Sequence, residues 1–342
     1  MGGYGLIDLF AGVGGLDIAA RSLGVPAVGI EWDKDVCATR RAAGLATVEG
    51  DVRTFSPADF PHANVLAGGP PCQTFSIAGQ GVGRRALEGV QHFARRMANR
   101  EDVSVCLAGT DDPRTGLVLE PLRWVLAAVD AGRPYESVVL EQVPTALPVW
   151  ETVGKVLLAE GYSVVHGVLN AEEFGVPQTR RRAVLIARRR GVAVLPQSTH
   201  RRYRKYVSGS GGDLALPQCV SMGEVLKRDR PFVLVSNYGS FGDPAARGRR
   251  TSDQPAPTVT GKINRNRVVT AEGIDLDRLT AAEAGCLQGF PSSHPWAGKG
   301  IFQQIGNAMP PRLAEHVLTA ALALDHEPAP VRTGGVGRLF GR

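Results

Sequence analysis

Paired cysteines, metal-ligand clusters and long apolar runs are what this 342-residue sequence lacks. Its five cysteines (Cys37, Cys72, Cys106, Cys219 and Cys286) are odd in number, scattered and never spaced C-x-x-C. That argues against a disulfide framework and a thiolate zinc site, and for a reducing compartment. The seven histidines form no pair at helical ligand spacing, so no metal is expected. No stretch approaches membrane-spanning length, and Met1–Gly5 lacks the basic-then-apolar pattern of a signal peptide. Leu6 stands where a myristoylation signal carries Ser or Thr. The expectation is a cytoplasmic protein with no membrane partner. What is present, 43% hydrophobic and 21% charged residues, suits a globular chain with one large core, or a large and a small one.

The net charge of +6 conceals an uneven distribution. Residues 180–270 hold 19 of the 39 Lys and Arg but only 5 of the 33 Asp and Glu, so the remainder of the chain is net acidic. The basic residues fall in four clusters, at 180–190, 201–205, 247–250 and 262–267, interleaved with Tyr203, Tyr206, Tyr238 and Phe241. One such run is ordinarily a solvated face. Four in one segment point to a polyanion partner.

The first 188 residues alternate short β-branched runs with helical stretches, the pattern of a parallel sheet covered by helices. Strands are expected at Leu6–Phe10, Ala27–Glu31, Ala46–Glu49, Asn64–Ala67, Ser137–Glu141, Ser163–Leu169 and Ala183–Ala187. Ile18, Ala19 and Leu23 have helical spacing, and helices are expected over 121–130, 149–160 and 312–324. From residue 189 the pattern breaks into short strands, turns and charge, a smaller β or irregular domain running to 302. The chain then returns to the first domain through 303–326, and a Pro-, Gly- and Arg-rich tail, 327–342, reads as disordered. Between Gly83 and Thr110 lies a stretch too long for an ordinary connection. Ala86, Val90, Phe93 and Met97 give part of it an amphipathic helical pattern. It is either a surface insertion or a loop able to close over a substrate.

Three segments carry chemistry. Asp8-Leu9-Phe10-Ala11-Gly12-Val13-Gly14-Gly15-Leu16 is a strand, a glycine turn and a helix start, where backbone N–H groups approach a ligand closely. The next strand ends Glu31-Trp32, an acid placed for ribose hydroxyls and a flat face for adenine. Asp51, followed by Val52, lies after the third strand, where it can accept from an adenine amino group. In Gly69-Pro70-Pro71-Cys72-Gln73-Thr74-Phe75-Ser76, two prolines hold a cysteine at the end of a buried strand. A lone cysteine is often just a small buried hydrophobe, but this setting is also where an α/β enzyme presents a nucleophile.

These motifs, with Glu141-Gln142-Val143, Gln178-Thr179-Arg180-Arg181-Arg182, Leu287-Gln288-Gly289-Phe290-Pro291 and Gln304-Ile305-Gly306-Asn307-Ala308, resemble those of the DNA (cytosine-5) methyltransferases, in the family's order and nearly end to end. The resemblance implies an α/β Rossmann-like fold, a mostly parallel sheet flanked by helices in 1–188 plus 303–326, with a mostly β or irregular target-recognition domain in 189–302. S-adenosylmethionine (SAM) is the implied cofactor, without a metal. Its implied contacts are Phe10, Ala11, Gly12, Gly14, Gly15, Leu16, Glu31, Trp32, Asp51, Val52, Pro71, Leu117, Asn307 and Ala308.

The implied catalytic residues are Cys72 as nucleophile on cytosine C6, Glu141 as the proton holder at N3, Arg182 at O2, and Arg180 against the loop or substrate. Implied DNA contacts are Gln73, Ser76, Gln178, Arg84, Arg85, Arg265 and Arg267. The target base must leave the duplex stack to be reached. Double-stranded DNA is the expected partner, with a separately encoded restriction endonuclease as a second, and the protein is expected to be a monomer of bacterial or phage origin. Gln142 departs from the family's usual Asn, and the 84–109 stretch interrupts the family's catalytic loop. Two alternatives stay open: a tRNA substrate, although the Cys-Phe-Thr signature of that branch is absent, and a catalytically silent DNA-binding regulator. A nicotinamide dehydrogenase would need a hydride site that the sequence does not supply.

Overall fold

Alternation with period two decides how the apolar strands are used. Along them, Ile7, Leu9, Leu66, Val138 and Leu140 point into one core, and Leu6, Val65, Ala67 and Val139 into the other. In the computed structural model, which describes residues 3–71, 82–103, 106–107, 113–204, 215–237 and 247–324, they build a seven-stranded sheet. Its strands are β1 (Leu6–Leu9), β2 (Ala27–Glu31), β3 (Thr47–Glu49), β4 (Val65–Gly68), β5 (Ser137–Gln142), β6 (Ser163–Asn170) and β7 (Arg181–Arg188). The order is β3-β2-β1-β4-β5-β7-β6. All neighbouring pairs from β3 to β5 are parallel, whereas β7 runs antiparallel to both β5 and β6. The reason is the connection: residues 171–180 form only a short 3-10 turn and a loop, too little chain for the crossover that parallel strands require.

Both faces are covered by helices, as a mostly parallel sheet demands. The helices in chain order are α1 (Gly15–Ser22), α2 (Lys34–Ala42), α3 (Val82–Ala98), α4 (Glu120–Asp130) and α5 (Leu147–Ala159). α3, α4 and α5 bury Val90, Trp124 and Trp150 in the first core. The stretch after Gly83 is therefore not simply a surface insertion or a loop. Val90, Ala94 and Met97 are buried, and Gln91 donates to Pro148 O at 2.9 Å, so α3 belongs to the layer that covers the sheet.

The second sheet is antiparallel, in the order β11-β10-β8-β9, from β8 (Val233–Val235), β9 (Arg249–Thr251), β10 (Arg267–Val269) and β11 (Asp275–Leu276). Short helices α6 (Met222–Leu226), α7 (Ala281–Leu287) and α8 (Ile301–Asn307) accompany it, and α9 (Pro311–Leu322) follows. The first two begin with reciprocal Ser221–Glu224 and Thr280–Glu283 caps that satisfy the free N–H groups of the first turn. Met222, Phe232, Leu234, Val268 and Ile305 share this smaller core. Because α8 spans 301–307 and its Ile305 packs here, the expected boundary at 302/303 falls inside a helix. α9 rejoins the large sheet: Leu313, Val317 and Leu318 enter its second core, and Ser137 Oγ donates to Ala321 O at 3.1 Å. Residues 325–342 lie outside the described residues.

Two buried histidines make the fold acid-sensitive. His294 packs edge-on against Phe290 and Trp296, and His316 packs against Phe174. Burial pushes both down to about 4. Between about pH 6.5 and 4 the unfolded chain binds protons there that the folded chain does not, so stability is present above this window and is lost as pH falls through it. Urea denaturation at stepped pH should show that decline, and a shallower one in His316→Phe; equal slopes in the two proteins would refute the assignment.

Candidate active site

β1 lies where the strand order reverses, between β2 and β4, and the crevice beyond the carboxyl ends of such strands is where α/β sheets hold ligands. The chain turns sharply there. Phe10, Gly12 and Gly14 adopt φ values of 60°, 53° and 92°, the left-handed region that glycine enters without strain. Gly15 is needed for a different reason: a Cβ there would stand 2.0 Å from Met309 O, on the chain entering α9. Glu31, 8% exposed at the end of β2, accepts from Gly12 N, Trp32 N and Asp33 N, each at 2.9 Å. Burial raises its pKa, and these three bonds oppose the rise.

The other expected cofactor residues are placed unevenly around this turn. Trp32 leaves its indole 70% exposed, a flat apolar face with nothing packed over most of it. The Asp51 carboxylate is bound by Arg53, with Nη2–Oδ2 at 2.5 Å, and this contact holds its pKa below the usual range. Leu16 and Val52 turn their side chains into the two cores, so only their backbones remain for a ligand. Leu117 is half-buried in a 3-10 turn, Ala11 is buried, and Pro71 is half-buried. Asn307 is exposed at the end of α8, next to Ala308, which shares a small cluster with Val13 of the glycine turn. A cradle of left-handed glycines, a buried acid and an exposed indole fits a nucleoside cofactor.

Beneath the turn lies a residue that sequence reasoning missed. Arg40, fully buried on α2, pairs with Asp17 through two bonds of 2.9 and 2.8 Å. It also donates to Ala11 O, Gly12 O and Ala46 O, and its Nε donates to Thr47 Oγ1 at 3.0 Å. One guanidinium thus holds the glycine turn against β3. Asp8 is buried nearby with neither oxygen in an aligned hydrogen bond, and burial followed by the Asp17 charge pushes its pKa well above the carboxylate range. Arg40 sits in Thr39-Arg40-Arg41, which reads as a solvated helix face, so no local signal marked it.

At the adjacent strand ends, β4 and β5 pair Gly68 with Leu140, which sets Glu141 beside Gly69. A Cβ on Gly69 would lie 3.3 Å from Glu141 Oε2. Gln142 donates through Nε2 to Pro70 O and accepts from Val143 N, so its longer side chain still supports the segment that leads into Cys72. Arg182 on β7 brings Nε to 2.5 Å from Glu141 Oε1, off the line of an N–H hydrogen bond, in an ion pair that is almost wholly buried. Cys72, Gln73 and Ser76 lie outside the described residues; Pro71, one peptide bond before Cys72, lies inside them.

Two expected site residues are engaged elsewhere. Arg180 is 1% exposed and donates to Val259 O, Gly306 O and Ala308 O at 2.9 to 3.1 Å. Burial, then the neighbouring Arg182, draw its pKa well below the usual value. Gln178 is fully buried, donating to Leu287 O and Gln288 Oε1 and accepting from Val259 N. These side chains fasten the chain before β7 to Val259, to the end of α7 at Leu287 and Gln288, and to the Gly306–Ala308 segment. Arg265 is exposed, and Arg267, also exposed, pairs with Asp275 at 2.8 Å. Arg84 and Arg85 fall in α3, and their side chains lie outside the described residues.

Comparison with known proteins places the chain in a family. Residues 4–95 and 108–215 match the model of the family described as C-5 cytosine-specific DNA methylase, which narrows the interrupting stretch to 96–107. Type II methyltransferase M1.HphI of Haemophilus parahaemolyticus is 30% identical over 93% of this chain and 87% of its own length. Type II methyltransferase M.HaeII of Haemophilus aegyptius is 28% identical over 85% of this chain and 83% of its own. Among solved structures, the Dnmt2 methyltransferase of S. pombe shares the fold, with a TM-score of 0.60 over 94% of this chain and 98% of that one at 16% identity. The nucleoside cradle and the strand-end acid and arginine thus stand in a chain that belongs to the C-5 cytosine-specific DNA methylase family, as a DNA (cytosine-5) methyltransferase.

Proposed function

We propose that the chain methylates C5 of cytosine within one double-stranded DNA sequence, through a covalent bond between Cys72 and C6 of an extruded base. The observation that carries the reading is the Glu141–Arg182 pair, set against the Gly69–Pro71 segment that delivers Cys72 and separated by β4 from β1 and the glycine turn. The Cys72 thiolate attacks C6, and the C5–C6 double bond becomes an enamine as a proton held by Glu141 reaches N3. Arg182 binds at O2, where a cation stabilises the developing charge. SAM supplies the methyl group that C5 accepts. Loss of the C5 proton to solvent then re-forms the double bond and expels the cysteine sulfur as thiolate, while N3 returns its proton to Glu141.

The cofactor is held by Glu31, by the backbone of Ala11–Leu16 and by the Trp32 face, with Asn307 and Ala308 closing one side. The smaller domain, from residue 189 through α8, forms the target-recognition region, with Arg265 available to phosphates, and a base-specific modification of this kind suits a protein paired with a restriction endonuclease. Among the described residues no helix is long and apolar enough to cross a membrane, and a cytoplasmic protein is the reading that suits a genomic DNA substrate. Incubation with radiolabelled SAM and either mixed-sequence duplex DNA or tRNA, followed by bisulfite sequencing of the DNA, tests the proposal. Label on DNA, with protected cytosines in a single sequence context, is expected. Label on tRNA alone, or none on either substrate, would refute it.

A further inference from the structure

Beside the Glu141–Arg182 pair opens a cavity of about 510 Å³, lined by Arg181 and Arg182 of β7 and by Glu172, Arg202, Tyr203 and Arg250. The Arg250 guanidinium carbon lies over the Tyr203 ring, 4.2 Å from its centre, and this cation–π contact helps fix where the charge sits. Two polar atoms in the lining stand unsatisfied: Arg250 Nη1 and Glu172 Oε2 are both buried and neither makes a hydrogen bond. Buried polar groups are nearly always paired, so a donor and an acceptor left open in one cavity mark a place that a ligand completes.

Four arginines on one cavity wall call for an anion, and a single acid among them is the anomaly. Glu172 is 4% exposed, and burial pushes its carboxyl up to about 7. The groups around it are Glu173, which opposes ionisation, Arg202 and the backbone N–H groups of Glu172 and Arg180, which favour it, and the half-buried Cys219 thiol, itself pushed up to about 11. Near neutral pH this carboxyl can therefore carry or release a proton at little cost.

We propose that this cavity seats the sugar-phosphate backbone of the DNA strand that carries the target cytosine, with Arg202 and Arg250 on the phosphates and Glu172 taking up a proton as the strand enters. The inference rests on the DNA reading above and names the path of the backbone past the reacting base. A phosphate satisfies Arg250 Nη1, and its negative charge favours the neutral form of Glu172. Binding and protonation are then linked: affinity is highest where Glu172 is already neutral and falls as pH rises through about 7, by no more than tenfold per pH unit for one proton. Each phosphate contact also contributes about 0.9 to the slope of log affinity against log salt.

Fluorescence anisotropy of a labelled mixed-sequence duplex with the full chain, in a salt series and a pH series, tests both parts. Arg202→Ala and Arg250→Ala should each flatten the salt slope by about 0.9. Glu172→Gln, close in shape and permanently neutral, should remove the loss of affinity between about pH 7 and 8.5 while leaving the salt slope intact. If the unaltered chain binds no duplex, the DNA reading itself fails. If it binds, but both arginine variants keep its salt slope or Glu172→Gln keeps its pH dependence, the cavity assignment alone is overturned.

Discussion

Replacing Cys72 with alanine is expected to reduce methyl transfer by a factor on the order of 10⁶, as removal of the nucleophile does in other covalent enzymes. Cytosine C5 has no independent route to sufficient electron density, so the remaining cradle can bind substrates without advancing them. Duplex DNA carrying 5-fluorocytosine supplies the matching positive signal. Fluorine at C5 cannot leave as a cation, so the sulfur–C6 bond persists and a denaturation-resistant complex should appear with the unaltered protein and vanish with Cys72→Ala. Glu141→Gln should slow transfer by roughly 10² to 10⁴, the usual worth of a positioned acid. Measurable turnover by Cys72→Ala, or trapping without Cys72, would reassign the nucleophile.

Arg40→Met should be the most destabilising single change beside the glycine turn. Arg40 and Asp17 are 0% and 2% exposed, so deleting the cation strands a carboxylate in the interior, at a cost of about 3 to 5 kcal/mol. The damage reaches the cofactor as well. The Ala11 and Gly12 carbonyls lose their donor, and the turn that aims the Gly12 N–H at Glu31 is no longer pinned. Calorimetric titration with S-adenosylhomocysteine should therefore show weakened binding even under conditions where the variant is folded. Arg40→Met combined with Asp17→Leu should recover much of the stability, because exchanging a whole buried pair for apolar residues is close to neutral, but should not restore binding. Equal affinity in all three proteins would remove Arg40 from any role at the turn.

Most of the large sheet was legible from the chain because its signals are local. The apolar runs at Leu6, Ala27, Val65, Ser137 and Arg181 carry their own periodicity, and each strand begins or ends within two residues of its expected place. The direction of β7 was not legible, since it depends on how little chain residues 171–180 leave for a crossover. The same division runs through the site. Glu141 and Arg182 are brought together by strand-end positions, which register alone transmits, and they form a buried ion pair.

Gln178 and Arg180 belong to the same short motif as Arg182, yet they bond across 79 to 128 residues of chain to Val259, Gly306, Ala308 and Leu287. Sequence by itself determined the order of the chemistry: glycine turn, acid, cysteine, acid, arginine. Tertiary structure alone decided which polar side chains were left to face a substrate and which, like Arg40 and Arg180, were spent inside. The physical reason is that burial, and the partner each buried charge must find, are set by segments distant in sequence, whereas residue type and spacing are set where they stand.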